Sequence, residues 1–190
     1  MFMRQVFGLL FLLSIAACGD RTQTTSVTTV DTAAKVTDTT RQEKASTVSN
    51  PNGFDSTYEL SKEHPTFMVT GYFNADDILD TAILVRHKST EKDALFIKHG
   101  GTDKSFLLKN GKDVGSDFDD FRWVGQFEVM KKGRKIWNNV VDGEIVGEEQ
   151  VPENKKYTLQ TDGIFIHEDE GGGGGIIYFK NGKYIWVQQD

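Results

Sequence analysis

The sequence predicts a mainly β domain: an antiparallel sheet of about seven to nine short strands, folded into a sandwich or a roll, with one short N-terminal helix. Three observations support this fold class. From position 54 onward the apolar residues alternate or form short β-branched runs, as half-buried strands do. Asx-Gly pairs, which are typical of hairpin turns, separate several of these runs. No helical crossover lies between the runs, which argues against a parallel α/β sheet.

The individual elements follow from this pattern. The helix is predicted over residues 55–62, because Asp55 or Ser56 can cap its first turn and Pro65 follows soon after its end. Candidate strand segments, from which a sheet of about seven to nine strands would be built, lie at 66–72, 81–87, 94–99, 105–109, 124–130, 137–141, 144–146, 156–161, 164–167, 176–180 and 183–187.

Asx-Gly pairs place the turns between these strands. Asn and Asp tolerate a positive φ and Gly adopts it freely, as both central positions of a type I′ turn require. The pairs Asp162-Gly163 and Asn181-Gly182 have strong strands on both sides, which predicts hairpins there. The pairs Asn110-Gly111 and Asp142-Gly143 fit either a hairpin or a looser loop.

Residues 1–17 have the pattern of a secretory signal. Arg4 supplies a positive charge, and residues 6–17 are almost wholly apolar. As a helix this run would rise roughly 18 Å, well short of the ~30 Å hydrocarbon core of a bilayer. The segment is therefore predicted to be a signal peptide and not a membrane span.

The chain has a single cysteine, Cys18, which ends the order Ile15-Ala16-Ala17-Cys18. This order resembles the lipobox of bacterial lipoproteins. The resemblance implies that a peptidase cuts before Cys18, which then carries a diacylglyceryl thioether as the mature N-terminus. A free thiol behind an ordinary signal peptide is the alternative.

The lipobox resemblance also implies the subcellular location of the protein. It would be anchored by lipid in the bacterial cell envelope. Gly19, and not Asp, follows the cysteine, so inner-membrane retention is not signalled and the outer membrane is favoured.

Residues 18–53 are predicted to form a lipidated cysteine followed by a flexible tether. The stretch after Cys18 is rich in threonine and serine and has no aromatic residue, so it buries too little apolar surface to offset the entropy of ordering. A coil of this length spans roughly 30 to 35 Å on average. Residues 54–190 contain all three tryptophans and all five tyrosines, which predicts a single β-rich domain there.

The charge of the chain argues against two classes of partner. Removal of residues 1–17 takes away one arginine and no acidic residue, leaving 21 basic and 28 acidic residues and a formal charge of −7. A net acidic surface without a basic patch does not suit nucleic acid or an anionic lipid surface. Membrane attachment is therefore expected to depend on the lipid alone.

Residues 71–85 resemble the integrin-type FG-GAP repeat, in which an acidic loop between two strands binds calcium. Asn74, Asp76 and Asp80 match its third, fifth and ninth ligand positions. Tyr72 occupies the place of the first carboxylate, and Asp77 that of the turn glycine. These departures predict weak or absent calcium binding, and no other cofactor is expected. The alternative is a turn in which these side chains bond nearby amides.

Acidic and aromatic side chains supply the remaining candidate sites. Asp117, Asp119 and Asp120 form an acidic run, and Trp123 and Trp186 belong to aromatic clusters that could present one face to a protein or glycan ligand. The acidic stretch 167–170 precedes the glycine run 171–175, which is expected to be a mobile connection.

Several catalytic classes lack support in this sequence. The histidines, at 64, 87, 99 and 167, have no zinc-binding spacing and are expected at the surface or at strand ends. No G-x-S-x-G motif is present, and the mature domain has no thiol. A non-enzymatic envelope lipoprotein that binds a protein, a glycan or another envelope component is therefore favoured, a class that includes inhibitors of secreted toxins. The alternative is a hydrolase that acts on envelope polymers through an acidic cluster.

Overall fold

The computed structural model describes residues 53–141 and 143–189, all of which belong to one compact unit. Cys18, the predicted signal peptide and the predicted tether up to position 52 lie outside the described residues. Within the described part of the chain, no helix is long and apolar enough to span a membrane.

The first sheet contains five antiparallel strands. β3 lies at its centre, where β4 pairs with one edge and both β1 and β2 pair with successive stretches of the other edge. β5 pairs with β4 and completes the order β1-β3-β4-β5. The strands are β1 (Tyr58–Leu60), β2 (Met68–Gly71), β3 (Asp80–His87), β4 (Asp93–Lys98) and β5 (Ser105–Leu108).

The second sheet contains four antiparallel strands in the order β13-β12-β11-β6, and two short ribbons pair β7 with β10 and β8 with β9. Its strands are β6 (Gln126–Met130), β11 (Gly163–His167), β12 (Gly174–Lys180) and β13 (Lys183–Gln189). The ribbons are formed by β7 (Lys135–Trp137), β8 (Val140–Val141), β9 (Glu144–Ile145) and β10 (Lys156–Thr158). Within residues 53–141 and 143–189, three 3₁₀ helices connect strands, at Gly111–Val114, Glu148–Gln150 and Glu153–Lys155.

The predicted fold class is confirmed, and each predicted strand overlaps an observed one. The predicted helix over residues 55–62 is wrong. Asp55 instead accepts hydrogen bonds from the backbone N–H and the hydroxyl of Thr57, at 2.7 and 2.6 Å. The chain then enters β1, where Tyr58 is buried and pairs with His87. Pairing with the edge of β3 therefore overrides the local capping signal.

The Asx-Gly pairs behave in three ways. Asn181 and Gly182 have φ values of 53° and 84° and join β12 to β13, which confirms that hairpin. Gly143 has a φ of 82° and lies between β8 and β9, which also pair with each other. The predicted hairpin at Asp162-Gly163 is wrong, because β10 pairs with β7 while β11 pairs with β6 and β12.

Two of the Asx side chains have structural roles of their own. Asn110 caps the first 3₁₀ helix by accepting from the N–H of Lys112 at 3.0 Å. Asp162 is buried, and its carboxylate accepts from the backbone N–H of Lys132 at 2.9 Å and from that of Tyr72 at 3.2 Å. Burial opposes its ionisation, but these bonds and the Lys131 ammonium outweigh it and hold the pKa of Asp162 below its ordinary value.

The second sheet is covered on both faces. One face packs against the first sheet through a core that includes Phe127, Ile164, Ile177 and Tyr184. The other face packs Ile176, Tyr178 and Val187 against Ile136 of β7 and Leu159. This burial explains the continuous apolar run from Ile176 to Phe179, since a strand covered on both sides has no need of alternation.

A buried carboxylate, Asp93 at the start of β4, joins several segments. Its Oδ2 lies 2.7 Å from His64 Nε2 and accepts from Ser61 Oγ at 2.8 Å. Its Oδ1 accepts from Arg86 Nε at 2.7 Å. Burial opposes ionisation, but these donors outweigh it and hold the pKa of Asp93 far below its ordinary range. The cluster therefore ties the segment before β2 to β3 and β4.

The Asp93 cluster also fixes the segment before β6. His64 Nδ1 lies 2.6 Å from the carbonyl oxygen of Val124, and the N–H of Phe121 donates to the backbone oxygen of Asp93 at 3.1 Å. Arg122 hydrogen-bonds the backbone oxygen of Glu91. Residues 121–124 are thus attached to the first sheet by backbone and side-chain bonds.

Asp93→Asn should destabilise the protein by about 3 kcal/mol, because an amide places a donor where three donors converge and leaves Arg86 without its buried counterion. Equilibrium urea unfolding at pH 7 measures this. Glu63→Gln is the matched control, since Glu63 also pairs with Arg86 but is largely exposed, and its effect should be much smaller. Equal effects would contradict a central role for Asp93.

The same variant should change the acid response. Because the pKa of Asp93 is lowered in the folded state, its contribution is present above the unfolded value of about 3.9 and is lost as the pH falls towards the folded value. The wild type should therefore lose stability between about pH 4 and pH 2 more steeply than Asp93→Asn. Parallel slopes in urea unfolding would contradict this.

His99 should give a second pH dependence. Its Nε2 lies 2.8 Å from the hydroxyl of Tyr184 between the sheets, and burial lowers the pKa of His99 although Asp80 and Asp76 oppose the shift. Below about pH 6.5 the histidine is protonated in the unfolded chain but stays neutral to a lower pH in the folded chain. The free energy of unfolding therefore decreases as the pH is lowered. His99→Gln should reduce the fall in melting temperature between pH 7 and pH 5. An unchanged fall would contradict this origin.

Candidate ligand-binding groove

Three aromatic rings meet at one end of the second sheet. Trp123 and Trp186 have ring centroids 6.5 Å apart with an interplanar angle of 87°. Phe118 lies 5.6 Å from Trp123 and 5.4 Å from Trp186, also edge to face. All three side chains are half-buried. Edge-to-face contacts of this kind fix the rings relative to one another.

These rings form the apolar part of a groove of about 330 Å³. Its remaining lining comes from three separate segments. Asp117 and Ser116 lie on the loop that precedes Phe118, and Glu168, Gly173 and Gly174 lie around the turn between β11 and β12, with Gln188 of β13 beside them. The groove therefore forms only when the loop and the β12–β13 hairpin come together.

The groove carries negative charge on its rim. Asp117 and Glu168 are both exposed, and neither carboxylate forms an ion pair with any cation of the described residues. Among the residues described, no lysine, arginine or histidine lines the groove. Asp169 and Glu170, directly after Glu168, are exposed as well.

Gly175 sets the position of Trp186. A Cβ at this position would lie 2.5 Å from Cζ2 of Trp186 and 2.5 Å from the backbone oxygen of Val187. The indole N–H of Trp186 donates to Oε1 of Gln188 at 2.9 Å, which further orients the ring. The prediction that residues 171–175 are only a mobile connection is therefore wrong for Gly174 and Gly175, which are buried and begin β12.

The structure brings together some of the predicted partner-binding residues and separates others. Asp117, Trp123 and Trp186 all line the same groove. Asp119 lines a different depression, beside His87 and Lys109. Asp120 accepts the backbone N–H of Arg122 at 2.8 Å. The acidic run therefore does not form one cluster.

The predicted calcium loop is a hydrogen-bonded turn. Buried Asp80 accepts from the N–H groups of Phe73 and Gly100, each at 2.8 Å, and from that of Asn74 at 3.1 Å. Asn74 Oδ1 accepts the N–H of Asp76 at 2.8 Å, and Asp77 adopts the left-handed conformation with a φ of 56°. The backbone N–H groups that donate to the Asp80 carboxylate lie where a calcium ion would have to bind it. This arrangement argues against strong calcium binding at the loop.

In the described residues, no group of three or more histidine, cysteine or acidic side chains is arranged to hold a metal ion. Calcium binding at Asn74, Asp76 and Asp80 stays a prediction.

Sequence reasoning missed the cluster around Asp93. His64, expected at the surface or at a strand end, is only 6% exposed and belongs to this cluster. His99 follows the last residue of β4, as expected for a strand end, and is 3% exposed. The set Ser61, His64 and Asp93 is not a nucleophilic triad, because Ser61 donates to Asp93 and not to the histidine ring. Its members are widely separated in sequence, and no local motif marks them.

Three further depressions are larger than the groove. One, of about 650 Å³, lies beside β1, where Arg86 already pairs with Glu63 and Asp93. Another, of about 560 Å³, lies beside β10, where the Lys180 ammonium sits 4.6 Å from the centroid of the Tyr157 ring. A third, also of about 560 Å³, is lined by residues that include Val140, Val151 and Tyr157.

Comparisons with family models, with curated proteins and with solved structures found no match for this chain.

Gly175→Ala should displace Trp186, because the added methyl group meets the ring and a backbone oxygen that has little freedom to move. We expect a loss of about 1 to 3 kcal/mol in stability and a changed tryptophan emission spectrum. Gly147→Ala is the control, since there the nearest atoms to the methyl group belong to the flexible end of the exposed Glu149 side chain. An unchanged spectrum for Gly175→Ala would contradict the close contact.

Proposed function

We propose that this chain is a lipid-anchored protein of the bacterial cell envelope whose β domain binds a ligand, without chemical turnover, in the groove of Trp123 and Trp186. The observation that carries the proposal is the groove itself, in which aromatic rings lie beside exposed polar groups. Binding sites commonly combine rigid aromatic surface with a few polar groups that fix orientation.

The anchor is supported by the N-terminal sequence. The apolar run 6–17 is too short to span a bilayer, and Ile15-Ala16-Ala17-Cys18 resembles a lipobox. Cys18 would therefore carry the lipid, and Gly19 favours the outer membrane over the inner one. The threonine-rich segment that follows would let the domain reach partners away from the headgroups.

Binding is favoured over hydrolysis by the surroundings of the groove carboxylates. Asp117 and Glu168 are both exposed, whereas a general acid for glycoside hydrolysis is typically held in an apolar pocket beside a second, differently placed carboxylate. Asp119 and Asp120, the other members of the acidic run, do not line the groove. A protein or a glycan of the envelope remains the expected class of ligand.

Cys18→Ala tests the anchor. In cells fed a radiolabelled palmitate, the wild-type chain should become labelled and sediment with membranes, because the thioether needs the sulfur. The variant should carry no label and should not be retained through a lipid. Since Cys18 is the only cysteine, label in the variant, or no label in the wild type, would contradict lipidation there.

A titration of the full chain with solubilised envelope fractions tests the groove. Tryptophan fluorescence should change saturably for the wild type and for Trp137→Phe, whose ring lies in β7 outside the groove. The response should be lost in Trp186→Ala and in the double variant Asp117→Asn, Glu168→Gln, which alters only exposed side chains.

The same mixtures are assayed for newly released polymer fragments. Fragment release that depends on Asp117 and Glu168 would contradict a purely binding role. A flat titration for the wild type, with all fractions, would contradict ligand binding in the groove.

A further inference from the structure

We propose that the groove of Trp123 and Trp186 receives a cationic side chain, an arginine or a lysine, from a basic segment of a partner protein. The proposal rests on the proposed function, since it names the chemistry of the ligand that the groove binds. It follows from the charge of the rim, the kind of rings below it, the size of the space and the backbone that borders it.

Charge complementarity is the first step. Asp117 and Glu168 approach one groove from different segments, and within the described residues neither has an ion-pair partner. Two unpaired carboxylates on one rim repel each other and attract a positive group. The further acidic residues Asp169 and Glu170, in a domain of net negative charge, extend the same field.

The rings supply the second step. The faces of tryptophan and phenylalanine attract a cation, tryptophan most strongly, and arginine pairs with such rings more often than lysine does. Trp123, Trp186 and Phe118 are held edge to face and are only half-buried. The apolar stem of a long cationic side chain can therefore pack on the rings while its charged end meets the carboxylates.

The size of the groove separates a side chain from a glycan chain. About 330 Å³ lies near the lower end of the roughly 300 to 1,000 Å³ of ordinary ligand pockets. This volume suits one inserted side chain better than several consecutive sugar rings.

The glycine run beside the groove provides room for the partner's main chain. Gly173 lines the groove, and exposed Gly171 has a φ of 64°, a conformation that glycine adopts without strain, with open space where a Cβ would lie. Because these positions carry no side chains, another backbone can approach closely there. The glycine segment beside the groove can therefore accommodate the main chain of a protein partner, while the rim and the rings contact its side chain.

The test uses the full chain in detergent and three probes: a capped pentapeptide with one arginine between glycines, the same peptide with neutral citrulline, and chitotetraose. Isothermal titration and tryptophan fluorescence report binding at low and at physiological salt. The arginine peptide should bind at least about tenfold more tightly than the citrulline peptide, and salt should weaken its binding.

Matched variants locate the effect. Asp117→Asn and Glu168→Gln should each weaken binding of the arginine peptide several-fold, whereas Asp119→Asn, the same change two residues away and outside the groove, should leave it unchanged. Equal losses for Asp117→Asn and Asp119→Asn would show non-specific attraction to an acidic surface and would overturn the proposal.

The remaining outcomes distinguish this proposal from the proposed function. If chitotetraose binds in a manner that depends on Trp186 but not on salt, and the arginine peptide does not, the cationic ligand is overturned and the groove remains a binding site. If no probe binds, the cationic ligand is overturned, and the titration with envelope fractions then decides separately whether the groove binds anything.

Discussion

The buried carboxylate of Asp93 is the constraint on which the groove depends. It accepts hydrogen bonds from Ser61 and Arg86 and contacts His64, whose other ring nitrogen contacts the carbonyl of Val124. Trp123 directly precedes Val124 in the chain. A charge buried in the first sheet thus holds in place a half-buried aromatic residue that packs on the core between the sheets. Any arrangement that left a member of this buried network without its hydrogen-bond partner would lower the stability of the fold. The network therefore favours one arrangement of the segment before β6.

The second wall of the groove depends on a different constraint, the burial of the second sheet on both faces. In β13, Tyr184 and Trp186 point to the core between the sheets, and Ile185 and Val187 point to the core on the other side. Trp186 lies at the end of this alternation, where Gly175 leaves space for its ring. The position of Trp186 is therefore set by strand register and by one glycine, independently of the bonds that fix Trp123. The groove is the place where these two rigid parts meet.

Most strands could be predicted from the sequence because alternation and β-branched runs are local signals. The hairpin at Asn181-Gly182 could also be predicted, because its turn is specified by two neighbouring residues. Prediction from the sequence failed where the pairing partners of a strand, or the contacts of a side chain, are far away in the chain. Asp162-Gly163 has strands on both sides, yet their partners are β6, β7 and β12 and not each other. Asp117, Trp123 and Trp186 were identified by residue type alone. Glu168 was noted only as part of the acidic stretch 167–170. Its place beside Asp117, the role of Gln188 and the Asp93 cluster were missed, because contacts between residues far apart in the chain leave no periodic trace.

The indole N–H resonances test most directly whether Trp123 and Trp186 form one ligand site. The three tryptophans should give three signals in a ¹⁵N–¹H spectrum of the full chain, assigned by single Trp→Phe variants. On addition of the arginine peptide, the signals of Trp123 and Trp186 should shift together with one saturation curve, while that of Trp137 stays in place. Shifts confined to Trp137, or no shift of the two groove signals at saturating peptide, would contradict a cation-binding groove.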